Sequence, residues 1–198
     1  MIRKSTLMLV QSAVLMAIML IFHITGIGYI KFPIFSFTIM AVPMIVGGVA
    51  VGRPTGMLLG ALFGMTTMML PETQLFMSIN PLQTMVICIG VRILLGYLCG
   101  MFFEVFGRFD KRRVWSIAVT GLLVSILNTV LILGGIAVVF GGDTEVLAAF
   151  GLESVTRFQV FSILFIGSLV PAAAEAGICM LLGGAVAKAV LVLNEKMN

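Results

Sequence analysis

Charge is what this chain has least of. Only 10% of its 198 residues are Asp, Glu, Lys or Arg, against about 25% in a soluble domain. So few charges exclude a fully water-exposed surface. A single histidine excludes a His-built metal centre and any H-E-x-x-H helix, leaving His23 as an interfacial residue at a helix end. The three cysteines, Cys88, Cys99 and Cys179, are odd in number and show no C-x-x-C spacing, so neither a disulfide framework nor a zinc site is expected. They read as small apolar side chains in apolar runs. No G-x-x-x-x-G-K-[ST] loop is present, which excludes ATP hydrolysis by that route in this chain. G-x-S-x-G and paired carboxylates at helical spacing are also missing from the apolar stretches, so enzyme chemistry is not expected.

What the chain has in quantity is hydrocarbon: 61% hydrophobic residues and a mean hydropathy of +1.21. At about 20 residues per bilayer crossing, this length suits an all-α, polytopic membrane protein. The apolar runs and their punctuation predict a single six-helix transmembrane domain over 1–198, with spans at 6–24, 37–51, 55–70, 82–106, 114–140 and 158–193. Gly52-Arg53-Pro54 and Asn80-Pro81 supply turns, and Gly141-Gly142 closes the fifth span. Beyond it, Asp143 caps a short amphipathic turn through Phe150. The second and third spans are short for a hydrocarbon core of about 30 Å, as segments lying beneath a neighbouring loop would be. Arg3 and Lys4 precede the first apolar run, but no small-x-small cleavage site follows, which predicts a retained helix.

Six spans place both ends on one side with Arg3, Lys4, Arg53, Arg108, Lys111, Arg112, Arg113, Lys188 and Lys196, nine of the twelve basic residues. The positive-inside rule makes that side, and both termini, cytoplasmic. The +4 net charge therefore reports orientation, and nucleic acid is not an expected partner.

Small residues at four-residue spacing mark close helix contacts: Ala13/Ala17, Gly56/Gly60/Gly64, Gly96/Gly100, Ala172/Ala176 and Ala185/Ala189. Packing inside the monomer accounts for the glycine ladder. Polar groups within apolar spans are costly and tend to be functional. Arg92, Asn128 and Glu175 stand out, with Gln83, Gln11 and Thr129 weaker examples. They line a ligand pocket between helices, or else Arg92 and Glu175 simply neutralise each other or snorkel. Between Gly26 and Ser36 the first outer loop carries Tyr29, Lys31, Phe32 and Phe35, too apolar for a free loop, and reads as a lid or as aromatic anchoring. A loop from Pro71 to Pro81 offers Glu72, Gln74 and Asn80; with Arg157 it can close a pocket over a polar solute.

Three stretches resemble the substrate-binding S component of energy-coupling factor (ECF) vitamin transporters. They are Ala13-Val14-Leu15-Met16-Ala17, the run Phe37 to Gly48 continuing into Gly60-Ala61-Leu62-Phe63-Gly64, and Leu127-Asn128-Thr129-Val130-Leu131-Ile132-Leu133-Gly134-Gly135. The resemblance implies a subunit of a prokaryotic cell membrane that captures a water-soluble vitamin from outside. It would hand the vitamin over by docking, through Ala13 and Ala17, onto a transmembrane coupling protein with two ATPase subunits. ATP would be hydrolysed by those partners, with no cofactor in this chain. The last stretch looks most like the pantothenate branch, with folate, cobalamin or a queuosine precursor sharing the broader pattern. Arg92, Lys31 and Arg157 suit a carboxylate. The rival readings are a structural or assembly subunit of the membrane and, less favoured, an intramembrane enzyme.

Overall fold

The computed structural model describes residues 4–31, 36–110, 113–143 and 156–197. The first helix, α1, spans Lys4–Thr25. It stops at Gly26, whose φ of +72° is a left-handed conformation that suits glycine at a helix C-terminus. The Gly28 N–H then closes back on the Phe22 carbonyl at 2.9 Å. A short antiparallel hairpin follows, β1 (Tyr29–Lys31) against β2 (Ser36–Thr38), with Tyr29 opposite Thr38. The first outer loop is thus partly a strand pair. Phe37 and Thr38, expected at the start of the second span, belong to it.

The second helix, α2, starts at Ala41–Val46 and widens into a π turn over Gly47–Val51. Every residue from Ala41 to Val46 is buried. It occupies the centre of the molecule, in contact with α1 and with four of the helices that follow. Gly52 (φ +139°) makes the turn into α3, Arg53–Met68, where Pro54 sits at the helix start. The stretch expected as a loop from Pro71 is a further helix, α4, Pro71–Ile79. Proline punctuates by opening helices as well as ending them, which accounts for the difference. Asn80 then caps α5, its side chain accepting the Gln83 N–H at 3.2 Å. That helix runs through Pro81–Met85, a π turn at Val86–Gly90, and Val91–Gly107. A long sixth helix, α6, covers Val114–Phe140 as expected. The seventh, α7, runs through Arg157–Ile178, a π turn at Cys179–Gly183, and Gly184–Met197. Its start is fixed by a capping box between Thr156 and Gln159. The turn expected from Asp143 to Phe150 lies outside the described residues beyond Asp143.

Among the described residues, four helices are long and apolar enough to cross a membrane: Ser5–Thr25, Pro81–Gly107, Val114–Phe140 and Arg157–Asn194. The 16 residues of α3 reach about 24 Å at about 1.5 Å per residue, and α2 is shorter still. The core gathers round α2: Met19, Met40, Met44, Ile45, Leu59, Phe63, Leu95, Ile117, Val124 and Cys179. The three cysteines are free and buried.

The glycine ladder sets the tightest contact. A Cβ on Gly56 would strike the Gly96 carbonyl oxygen, one on Gly60 the Arg92 carbonyl oxygen, and one on Gly64 would come within 2.6 Å of the Cys88 carbonyl oxygen. Backbone therefore rests on backbone between α3 and α5, the arrangement small-xxx-small spacing permits in lipid. At one end of this pair Arg53 holds Glu104, with Nε to Oε1 at 2.9 Å, and donates to the Tyr97 hydroxyl at 3.1 Å. Close by, Gln11 donates to Asn194, and Asn194 to the Ala50 carbonyl at 3.1 Å, which ties α1, α2 and α7 together.

Candidate functional site

At the opposite end, where the hairpin, α4 and the start of α7 gather, lies a cavity of about 660 Å³. Ligand sites of small metabolites typically measure about 300–1,000 Å³. Its walls are mostly apolar: Phe76 from α4, Ile87 from α5, Ile132, Leu133, Ile136 and Phe140 from α6, and Ile163 and Leu164 from α7. Phe76 and Phe140 meet with ring centroids 5.1 Å apart. The room comes from a thin stretch of α7, where Gly167, Ser168, Pro171 and Ala172 face inward. Pro171, inside the helix, has no N–H to give to the carbonyl one turn earlier.

Polar groups gather at the inner end. Arg92 lies roughly 16 Å along α5 from Pro81. Its exposure is only 6%. The carbonyl of Arg92 touches Gly60, so the ladder fixes its depth. The guanidinium lies over the Phe63 ring, 4.3 Å from its centroid, and Nη1 donates to the Cys88 carbonyl at 3.0 Å. The Nε–H is buried with no partner. Glu175, 7% exposed, lines the same cavity and accepts Asn128 Nδ2 at 3.4 Å. The Asn128 Oδ1 is also buried without a partner. No ion pair joins Arg92 to Glu175, although both line the cavity. Their opposite charges attract without direct contact, and the guanidinium is held inside the helix bundle.

Of the residues expected from sequence, Arg92, Asn128 and Glu175 come together here, with Glu72 and Thr129 also on the wall. None of the others whose side chains are described lines this cavity. Tyr29 donates to Thr66 at 3.3 Å and meets the His23 ring edge-on. Gln74 is turned to the Met68 carbonyl at 2.9 Å. Asn80 is spent on its cap and Gln83 is exposed. Arg157 is exposed and lies over Gly141 and Gly142 at the end of α6. Lys31 has its backbone in β1, its side chain outside the described residues, and Phe35 lies outside them altogether. The polar lining residues that sequence reasoning passed over are chiefly threonines: Thr38, Thr67, Thr73 and Thr84. Thr67 and Thr84 bond their hydroxyls to carbonyls one turn back, so a run of sequence gives them no anomaly to notice. The Gly167-Ser168 and Pro171 pattern inside an apolar helix was the available signal.

Ala13 and Ala17 are both exposed on α1, on a face with Leu9, Val10, Val14 and Ile21. The opposite face, with Leu15, Met16, Met19 and Phe22, packs on the core.

A family model described as ECF transporter, substrate-specific component, matches residues 7–186. The chain belongs to that family. Comparison with individually curated proteins yields no match. As an ECF substrate-specific component the protein is a membrane-embedded, substrate-binding subunit of a transporter, and the family's members are transport subunits, not enzymes. Membership also implies a small-molecule substrate and an energising module as partner.

Proposed function

We propose that the protein takes a small water-soluble vitamin from outside the cell into the cavity between α4, α5, α6 and α7, with pantothenate as the leading candidate. Folate, cobalamin and a queuosine precursor are the next candidates. The observation that carries this reading is the pair of buried, unpartnered atoms, Arg92 Nε and Asn128 Oδ1, in residues that line one cavity. Each such atom costs about 1–3 kcal/mol if nothing ever satisfies it. A subunit that only packed helices would lose stability there for no return, which disfavours the structural reading. The Arg92 guanidinium supplies a cation for a carboxylate, and the apolar walls suit the uncharged body of the ligand.

In this reading the chain forms one domain crossing the prokaryotic cell membrane six times, α2 and α3 included, with both termini cytoplasmic. That orientation puts the cavity on the outer side. The exposed Ala13 and Ala17 face of α1 meets the transmembrane coupling protein, and two ATPase subunits supply the energy. No cofactor is held by this chain. The test is a thermal-shift screen of the purified protein against these vitamins. One vitamin should raise the melting temperature progressively with its concentration, since binding to the folded state alone stabilises by mass action. No shift with any of them removes the vitamin-binding reading.

A further inference from the structure

The unpartnered Asn128 oxygen has a structural cause. Asn128 gives its amide nitrogen to Glu175 Oε1 at 3.4 Å. An ionised carboxylate accepts and offers no proton in return, so while Glu175 is ionised the amide turns its nitrogen toward it. The oxygen is left buried and unpaired in a residue that lines the cavity.

We propose that Glu175 is a positioning residue that locks the Asn128 amide as an acceptor, so that the site selects ligands bearing an N–H or O–H donor beside the acceptor group read by Arg92. This rests on the reading of the cavity as a vitamin site and adds the polarity of its specificity. Were the amide reversed, the same residue would present two donors and select the opposite kind of ligand. A ligand without the donor leaves the carbonyl orphaned, which weakens binding roughly tenfold to hundredfold.

The test exchanges the two functional groups across the contact. In Glu175→Gln, the new amide can turn either its oxygen or its nitrogen toward Asn128, so the lock is lost. In Asn128→Asp, two carboxylates face each other. In the double variant, the amide introduced at position 175 donates to the carboxylate introduced at position 128, whose second oxygen again faces the ligand. Calorimetric titration with pantothenate should show each single variant weaker by roughly tenfold to hundredfold, and the double variant restored to within a few-fold of wild type. Melting curves verify that each variant is folded. A second arm uses wild type alone, with a pantothenate methylated at its amide nitrogen and hydroxyls but keeping its carboxylate. It should bind at least about tenfold more weakly. Equal affinity for the methylated compound, or the same loss from Glu175→Gln whether position 128 is Asn or Asp, overturns the lock while leaving the vitamin site standing. A wild type that binds no vitamin overturns the proposed function and the lock with it.

Discussion

At the scale of single residues, Arg92 is the strongest departure from what lipid tolerates, and the structure gives it cation–π and carbonyl partners but leaves Nε–H free. Arg92→Ala should lower vitamin affinity by roughly a hundredfold or more, the scale of a lost charge-assisted hydrogen bond in a dry site. Arg92→Lys should recover only part of it, because an ammonium has no planar fork. Titration calorimetry checks both; unchanged affinity in Arg92→Ala would remove it from the site. Arg92, Asn128 and Glu175 were legible in the sequence because each is anomalous where it stands. Gln74 and Asn80 are turned to backbone groups instead: polar side chains near helix ends have local backbone work, and a cap looks the same on paper as a ligand contact. The threonines were silent because a hydroxyl bonded to its own helix carries no visible cost.

At the scale of elements, the contact between α3 and α5 sets the depth of Arg92. Gly60 meets the Arg92 carbonyl itself, so Gly60→Ala must push the helices apart. Overpacking of this kind costs about 1–3 kcal/mol, and the displaced α5 should weaken vitamin binding as well. Gly177→Ala is the control, since a Cβ there meets nothing within 4 Å. Its melting temperature should stay the same or rise, given the better helix propensity of alanine. Equal destabilisation by the two would show that loss of glycine, not the collision, is responsible. The ladder was legible as four-residue spacing, whereas its partner was not, because spacing names a face without saying what lies across from it. Helix α4 was missed because Pro71 and Asn80-Pro81 bound it like loop markers, and the strand at Ser36–Thr38 because a short apolar run reads equally as helix or strand.

At the scale of the whole molecule, the chain has two separate surfaces of interest: a cavity at one end, and an outward face of α1 that is exposed in the fold. If that face meets the coupling protein, Ala13→Trp or Ala17→Trp should leave vitamin binding intact yet abolish uptake in cells carrying the energising module. Normal uptake would discredit the docking face. The long helices were legible as apolar runs near bilayer length. The short central α2 was legible only as an oddity, and its reason is three-dimensional: buried on all sides, it is covered by its neighbours and need not match the bilayer alone. The most direct measurement of the central claim is an experimental structure of the protein with its vitamin. The account predicts one ligand in the cavity, its acceptor group on Arg92 Nε and a donor on Asn128 Oδ1. A vitamin seated elsewhere, or a cavity closed by helix packing in the bound protein, would contradict it.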